Sequence, residues 1–204
     1  MTKLKIVKAD SSCGEKVASL IQQTDSVLFS SLFGSDRVIF NKFVTGLWPL
    51  EKNPYSHSEA VVLRDENGDD IYGLELGFRG SQDAAFQESM GEELLDILSS
   101  EELVFLAEQI KDTEYMTPHI PDDAYYLHYI SVDSACQGQG AGRMLLENCF
   151  RRAADLNCTA VYLDVHEGSS AVDIYRAFGF RIAARTELPG RPELPPHCRM
   201  VKEF

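Results

Sequence analysis

A glycine-rich loop directly joins a segment with strand character to a segment with helical character, and this junction constrains the fold more than any other feature of the chain. Residues 124–132 are predicted as a strand, residues 140–157 as a helix and residues 159–165 as a second strand. Two strands connected through a helix lie parallel in one sheet, because a tight hairpin would reverse the chain direction. The sequence therefore predicts at least one parallel strand pair with a helix packed against it.

The flanking segments add antiparallel strands. Residues 59–64 and 70–78 read as two strands around the acidic turn 65–69, which is a hairpin signal. Residues 180–186 and 198–204 read as two more strands. Hairpin strands pair antiparallel, so the sheet cannot be wholly parallel. The predicted fold class is therefore α/β (α+β), with a mixed, mostly antiparallel central sheet, a parallel strand pair and flanking helices.

The N-terminal part reads as a short strand followed by helices. A strand is predicted at residues 4–8, and apolar residues recur at helical spacing over residues 14–33. This periodicity predicts one helix that ends at Gly34. Ser35 is then the predicted cap of a second helix that runs to about Leu47.

Residues 80–118 interrupt the strand order as a helical insertion before the strand of the glycine-rich loop. Residues 90–98 have a helical pattern, and Ser99 with Glu102 forms a capping box that predicts a further helix. A chain of 204 residues suits one domain with room for such an insertion. We predict a single domain over residues 1–204.

Composition excludes several classes of function. The formal net charge of −13 argues against a nucleic-acid-binding protein and is compatible with a cationic ligand. Five widely spaced cysteines without a Cys-x-x-Cys pair predict reduced thiols, and the scattered histidines imply no metal. The first residues lack the apolar core of a signal peptide, and no segment is long enough to cross a membrane. We therefore expect a cytoplasmic protein that does not contact membranes.

The loop itself has the chemistry of a phosphate site. Its glycines, Gly138, Gly140 and Gly142, occupy alternate positions and allow the backbone to curl closely around a ligand. The loop opens onto a helix N-terminus, whose free N–H groups and dipole favour an anion. Arg143 in the first helical turn would be unfavourable beside that dipole unless an anion is bound. These features predict a phosphate or pyrophosphate ligand.

Two other kinds of glycine-rich phosphate site fit the loop less well. No Gly-Lys-Ser/Thr follows, which excludes a Walker site. Asp164 lies where a dinucleotide-binding fold would place its ribose-binding acid. However, the glycine spacing is G-x-G-x-G, and too few residues follow Asp164 to complete a doubly wound sheet. A plain structural turn is the remaining alternative.

Two motifs together resemble one enzyme family. Gln137-x-x-Gly140-x-Gly142 resembles the CoA pyrophosphate loop of the GCN5-related N-acetyltransferase (GNAT) superfamily. Ala171-x-x-Ile174-Tyr175-x-x-x-Gly179-Phe180 resembles the second signature of that superfamily, and the resemblance covers about residues 124–182. It implies a sheet whose central parallel strands splay apart, with acetyl-CoA lying in the notch between them.

The resemblance also implies positions for cofactor contacts. Backbone groups of Ile130 and Val132 would pair with the pantetheine arm as an added strand. Where the family often has Asn, this chain has Gly168, so one side-chain contact to the pantetheine would be missing. The residues expected to hold the pyrophosphate are Gln137, Gly138, Gln139, Gly140, Ala141, Gly142 and Arg143.

The expected catalytic groups follow from the same resemblance. Tyr175 matches the family tyrosine that protonates the departing CoA thiolate; the alternative is an aromatic residue of the core. His128 occupies the position where the family often has an acid, and its ordinary pKa suits a base at neutral pH. Glu75 on a neighbouring strand is the other candidate base, and a purely structural His128 is the alternative to both.

The function implied is acetyl transfer from acetyl-CoA to an amine by direct attack in a ternary complex. The acceptor would be a small molecule or peptide, and a homodimer is a family-level expectation. Residues 80–118 would either form a wall of the acceptor pocket or serve as a helical decoration or dimer surface. The runner-up functions are a non-catalytic CoA-binding sensor or scaffold and a structural module that binds no CoA.

Overall fold

One seven-stranded sheet organises the chain, in the order β1-β2-β3-β4-β5-β7-β6. The computed structural model describes residues 3–66, 68, 70–111, 118–188, 190–191 and 193–204. Neighbouring strands are antiparallel except β4 and β5, which are parallel. This confirms the predicted mixed sheet. The strands are β1 (Leu4–Lys8), β2 (Ala60–Asp65), β3 (Ile71–Arg79), β4 (Ala124–Val132), β5 (Ala160–His166), β6 (Arg181–Thr186) and β7 (His197–Glu203).

Helices cover both faces of the sheet. On β3, Leu74 and Leu76 join the core of the N-terminal helices, whereas the intervening Glu75 is bonded to α6. Successive strand residues point to opposite faces, so α6 lies opposite the N-terminal helices. The helices are α1 (Gly14–Gln22), α2 (Ser26–Phe33), α3 (Val38–Leu47), α4 (Asp83–Ile97), α5 (Ser100–Ile110), α6 (Ala141–Asp155) and α7 (Ala171–Ala177).

The parallel pair separates soon after it begins. β4 and β5 are paired at only three register positions, residues 124–126 with 160–162. On its other edge, β4 pairs with β3 through a slipped register, because Leu76 faces Tyr129 and Gly77 faces Leu127. His128 is therefore an extra residue, a β-bulge that bends the strand. Beyond it the two parallel strands diverge and leave a notch in the middle of the sheet.

Two predictions for the N-terminal helices were wrong in detail. The single helix predicted over residues 14–33 is two helices, α1 and α2. Asp25 begins the second one, because its carboxylate accepts a hydrogen bond from the N–H of Leu28 at 2.9 Å. Ser35 does not cap α3. Asp36 instead accepts from the N–H of Val38 at 3.2 Å.

The insertion is more helical than its pattern indicated. α4 begins at Asp83, seven residues before the predicted start at Met90. The capping box is confirmed, since Ser99 Oγ accepts from the N–H of Glu102 and the Glu102 carboxylate accepts from the N–H of Ser99. Residues 112–117 of the insertion lie outside the described residues, as do residues 67 and 69 of the acidic turn.

Two sequence-based expectations about side chains and membranes can be compared directly. All five cysteines are free thiols and buried, as predicted: Cys13, Cys136, Cys149, Cys158 and Cys198. Among the residues that the structure describes, no helix is both long and apolar enough to span a bilayer.

A buried charged network fixes the middle of the sheet to α6. Glu75 is fully buried, and one carboxylate oxygen accepts from the Tyr125 hydroxyl at 2.6 Å and from Arg152 Nη1 at 2.9 Å. The other oxygen accepts from Asn148 Nδ2 at 3.2 Å. Arg152 Nη2 also donates to the backbone carbonyl of Glu59 at 3.0 Å. Each charge is therefore compensated, which a buried ion pair requires.

We expect Arg152→Met to lower the free energy of unfolding by about 3 kcal/mol, because it leaves the Glu75 carboxylate buried without its cation. Urea denaturation measures this loss. The control is Arg151→Met, an exposed neighbour whose guanidinium donates to Asn148 Oδ1 at 3.2 Å, with an expected change within about 0.5 kcal/mol. Equal losses in the two variants would contradict a stabilising role for the buried pair.

Candidate active site

A deep cleft opens where β4 and β5 diverge. Its volume is about 1560 Å³, whereas pockets for a single drug-sized ligand are roughly 300–1000 Å³. The glycine-rich loop lines one end, and residues of α2, α4 and α5 line the other. The cleft is therefore large enough to hold two reactants together.

The loop has the open backbone that a phosphate cradle needs. Gly138 and Gly140 have φ angles of 73° and 85°, in the left-handed region that favours glycine. A Cβ built on either residue would meet nothing within 4 Å, so both face open space. α6 begins at Ala141, and the N–H groups of its first turn are directed towards the loop. Backbone donors and a helix dipole thus meet at this end of the cleft.

Side chains brace the loop from outside. Gln137 Nε2 donates to the carbonyl of Val132 at 3.1 Å, and Gln139 Nε2 donates to the carbonyl of Ala135 at 3.0 Å. The side chain of Arg143 is 68% exposed, lies over the Phe178 ring at 5.1 Å and lines the cleft. An exposed guanidinium at the loop can pair with a phosphate without breaking a buried contact.

The β4 edge beside the loop is free to bind an extended ligand. The N–H of Asp133 donates to the carbonyl of Tyr72 at 2.8 Å, so Asp133 is directed towards β3. Residues of an antiparallel pair alternate in direction. Ile130 and Val132 consequently direct their backbone groups away from β3, into the notch where pairing with β5 has ended. Apart from the Val132 carbonyl that Gln137 contacts, these groups are available to an added strand.

Tyr175 lies on α7 and lines the cleft. Its ring packs against Phe180 at 5.7 Å, and the residue is 9% exposed. The hydroxyl has no hydrogen-bond partner among the described residues. Burial, with a smaller effect of Cys149, raises the pKa of Tyr175 well above its usual value of 10.0. The phenol is therefore protonated throughout the physiological range and can act only as a donor of its proton.

His128, the bulge residue, also lines the cleft. Its Nδ1 lies 3.1 Å from the carbonyl of Pro54, which can only accept, so Nδ1 carries the proton. Burial lowers the pKa of His128 to about 4. The ring is therefore neutral at pH 7 and leaves the lone pair of Nε2 available. The same burial makes His128 a weaker base than an exposed histidine.

Glu75 lies outside the cleft. Its carboxylate lies beneath α6 in the buried network with Tyr125 and Arg152, and it does not line the cleft. Both of its oxygens are occupied by donors. We therefore correct the sequence-based proposal that Glu75 is a direct base.

The sequence patterns did not identify the residues that wall the end of the cleft away from the glycine-rich loop. These walls are built mainly from aromatic rings on α2, α3, the segment before β2, and β4 itself, namely Phe29, Phe33, Phe43, Tyr55, Tyr126 and Tyr129. The signal was present in the run Tyr125-Tyr126-Leu127-His128-Tyr129, which is unusually aromatic for one strand. Asp164, considered above as a ribose ligand, is instead bonded through both oxygens to Arg199 at 2.7 and 2.6 Å.

Comparison with known proteins agrees with this architecture. Residues 89–180 match the model of the Acetyltransferase (GNAT) family. No curated protein matches the chain with significant sequence similarity.

Solved structures share the whole fold at low identity. An N-acetyltransferase from Staphylococcus aureus Mu50 is 15% identical with a TM-score of 0.72, over 97% of this chain and 100% of that one. A histone acetyltransferase HPA2 and related acetyltransferase from Corynebacterium glutamicum ATCC 13032 is 20% identical with a TM-score of 0.67, over 100% and 97%. A mosquito arylalkylamine N-acetyltransferase like 5b is 13% identical with a TM-score of 0.63, over 99% and 100%.

The family match covers most of α4, all of α5, the glycine-rich loop and the Tyr175 motif, and the structural neighbours share the fold over the whole chain. Residues 89–180 are therefore similar to the GNAT acetyltransferase family, and the whole chain has the fold of solved acetyltransferases.

Proposed function

We propose that the protein transfers an acetyl group from acetyl-CoA to an amine by direct attack within a ternary complex. One observation carries the proposal: the glycine-rich loop, the free edge of β4 and the Tyr175 hydroxyl all open into one cleft with room for two reactants. A transfer between two substrates requires that both are held side by side, and these three features meet in one cavity.

The chain's residues would divide the binding of acetyl-CoA between them. Backbone N–H groups of residues 137–142 and the first turn of α6 would hold the pyrophosphate, with Arg143 supplying a positive charge. The free backbone groups of Ile130 and Val132 would pair with the pantetheine amides as an additional strand. The described residues contain no cluster of His, Cys, Asp and Glu that could hold a metal, and the proposed transfer uses none.

Two side chains would then manage the protons. His128 Nε2, with Nδ1 held by the Pro54 carbonyl, would accept the proton that the ammonium loses, directly or through a water. The amine nitrogen then attacks the thioester carbonyl. As the C–S bond breaks, Tyr175 would give its proton to the departing sulfur. The attacking nitrogen would lose its second proton as the amide forms; passed through water, this proton would restore the Tyr175 phenol, and His128 would release its own proton to solvent before the next turnover.

CoA binding is predicted to depend on Gly140. Acetyl-CoA and CoA should raise the melting temperature, and ligand at a hundred times its dissociation constant should stabilise by about 2.7 kcal/mol. NAD and ATP should do so much less. Gly140→Val should abolish this rise in melting temperature. Gly140 has a φ angle of 85°, and the valine side chain would fill the open space beside the loop that the ligand needs.

The control for Gly140→Val is Gly34→Val. Gly34 has nearly the same φ, 84°, but does not line the cleft. Both variants carry the strain of a β-branched residue in the left-handed region, so both should melt at a lower temperature without ligand. Only Gly34→Val should keep the CoA-induced shift. Loss of the shift in both variants would indicate a general effect of strain, and equal stabilisation by NAD would contradict a CoA site.

Tyr175→Phe tests the proposed acid. The substitution keeps the ring and removes only the hydroxyl, so kcat should fall by about 10²–10⁴ with little change in CoA affinity. The pKa of Tyr175 is raised above 10.0, so the wild type should lose no activity through phenol ionisation below pH 10. Tyr162→Phe, on β5 but outside the cleft lining, is the control and should be near wild type. If kcat of Tyr175→Phe stays within about threefold of wild type, Tyr175 has a packing role in the core and is not the acid.

His128→Gln tests the proposed base through both rate and stability. Glutamine keeps a hydrogen-bond donor but cannot titrate, so kcat should fall by about 10²-fold or more. The folded-state pKa is lowered from 6.5 to about 4, so the unfolded chain binds more protons between these values. The stability due to His128 is therefore complete above pH 6.5 and decreases towards pH 4. Urea denaturation between pH 4 and 6.5 should show a flatter profile for the variant; an unchanged profile would contradict the burial of a neutral ring.

A thiol-release assay with acetyl-CoA and a broad amine panel separates this proposal from the sensor alternative. Release with at least one amine supports transfer. A protein that is stabilised by acetyl-CoA but inert towards every amine would be a CoA-binding sensor or scaffold.

A further inference from the structure

The acceptor end of the cleft is an aromatic enclosure. Phe29 of α2 lies 6.0 Å from the Tyr129 ring, and Tyr55 lies 5.7 Å from the same ring and 5.2 Å from the His128 ring. The Tyr55 and Tyr129 hydroxyls bond to each other at 2.9 Å, so they are already satisfied. These rings therefore offer faces and edges to a ligand rather than free polar groups.

Two of the carboxylates of the lining are already hydrogen-bonded within the protein. Asp164 is bonded to Arg199, and Asp25 accepts a hydrogen bond from His197 at 3.2 Å and from the N–H of Leu28. Neither carboxylate is available to bind a cation without losing its present partner.

Asp83 differs from those two carboxylates. It is the first residue of α4, lines the cleft and is half-buried. Its side chain accepts a hydrogen bond from Gln87 Nε2 at 3.2 Å but has no cationic partner within the described ranges. Its charge contributes to the raised pKa of Tyr126, which places it beside the aromatic enclosure. One uncompensated negative charge is therefore available where an ammonium would enter.

The lysine and arginine side chains of the cleft lining are exposed to solvent rather than enclosed by the aromatic rings. Within the described part of the lining, the lysine and arginine side chains are Lys111, exposed at the end of α5, and Arg143, which is exposed at the glycine-rich loop and lies 3.6 Å from Glu147. The carboxylate of an α-amino acid lies two bonds from its amine nitrogen. It would therefore have to enter the enclosure beside His128, where no such cation faces it, and an unpaired buried charge is strongly unfavourable.

From this distribution of rings and charges we infer that the acceptor is an aromatic monoamine, a primary amine carried on an aryl-alkyl body without a carboxylate. The inference rests on the proposed function and adds the substrate class. The rings would enclose the apolar body, and Asp83 would attract the single ammonium group. Polyamines would lack partners for their further charges, because the other two described carboxylates of the lining, Asp25 and Asp164, are engaged by His197 and Arg199.

A matched set of amines tests the substrate class. In the thiol-release assay with acetyl-CoA, kcat/KM for 2-phenylethylamine should exceed that for phenylalanine, which differs by one carboxylate, by at least about tenfold. It should also exceed the values for spermidine and hexylamine. Higher turnover of phenylalanine or spermidine would overturn the inference while leaving acetyl transfer intact.

Calorimetry separates this inference from the proposed function. The protein saturated with CoA should bind 2-phenylethylamine more tightly than phenylalanine or spermidine, whether or not acetyl transfer occurs. Binding in this order without thiol release would overturn the proposed activity and keep the ligand class. Equal or inverted affinities would overturn the ligand class.

Two pairs of variants test the groups that carry the inference. Asp83→Asn should raise KM for 2-phenylethylamine about tenfold and leave KM for acetyl-CoA unchanged. Glu92→Gln, an equal charge change at an exposed position of the same helix outside the lining, should alter neither. An unchanged amine KM in Asp83→Asn would remove Asp83 from substrate recognition.

Phe29→Leu should raise KM about three- to tenfold for 2-phenylethylamine and less for hexylamine, because only an aromatic ligand loses the ring contact. The matched control is Phe40→Leu. Phe40 is buried and packs 4.9 Å from Phe29 but does not line the cleft. Equal effects of the two variants on both amines would show that the ring acts through packing alone, and would overturn an aromatic contact with the acceptor.

Discussion

The extra residue that His128 inserts into β4 is the constraint on which the rest of the structure depends. Without it, β4 and β5 would be expected to remain paired along their length, as regular parallel strands do. With it, pairing stops after three register positions, and the middle of the sheet opens. An unpaired strand edge in a protein interior is unfavourable unless something satisfies it. The interruption therefore leaves a backbone edge open to a ligand, and the bulge residue itself faces the space that the interruption creates.

The two ends of the cleft are built by different kinds of force. The end at the glycine-rich loop rests on directional contacts: glycine backbone conformations, side-chain amides that brace the loop, and α6 held to the sheet by Arg152 and Glu75. The aromatic end rests on aromatic and aliphatic packing from α2, α4 and α5. Directional contacts fix atoms within tenths of an ångström, whereas apolar packing tolerates several arrangements of similar energy.

Local patterns in the sequence were sufficient for the strands, the crossover, the capping box and the resemblance to GNAT acetyltransferases. Each depends on residues that are close together in the chain, such as Ser99 with Glu102. The break between α1 and α2 was missed because the apolar period continues across it, while the interruption depends on the single carboxylate of Asp25. The early start of α4 was missed because residues 83–89 contribute only Phe86 to the core and so carry little periodicity.

Within the candidate site, the sequence indicated the residues of the loop and Tyr175 because motifs carry them. It could not separate His128 from Glu75, since both are polar residues on neighbouring strands. The folded strands place them on different sides of the sheet. The Glu75 carboxylate lies on the α6 face, whereas His128, the bulge residue, lines the cleft. The pairing of Asp164 with Arg199 joins residues 35 positions apart, and only the folded sheet brings them together.

The insertion contributes to the core as well as to the cleft, because Leu94, Leu98 and Leu106 are buried against the N-terminal helices. Its attachment is therefore mainly apolar and carries few directional constraints on the residues that face inwards. Met90 can change in size or polarity without disturbing a hydrogen-bonded framework, whereas Gln87 also donates to Asp83. A protein engineer could treat these two helices as an exchangeable cassette, because their inner surface can be re-shaped while the glycine-rich loop and the contacts that hold α6 stay the same.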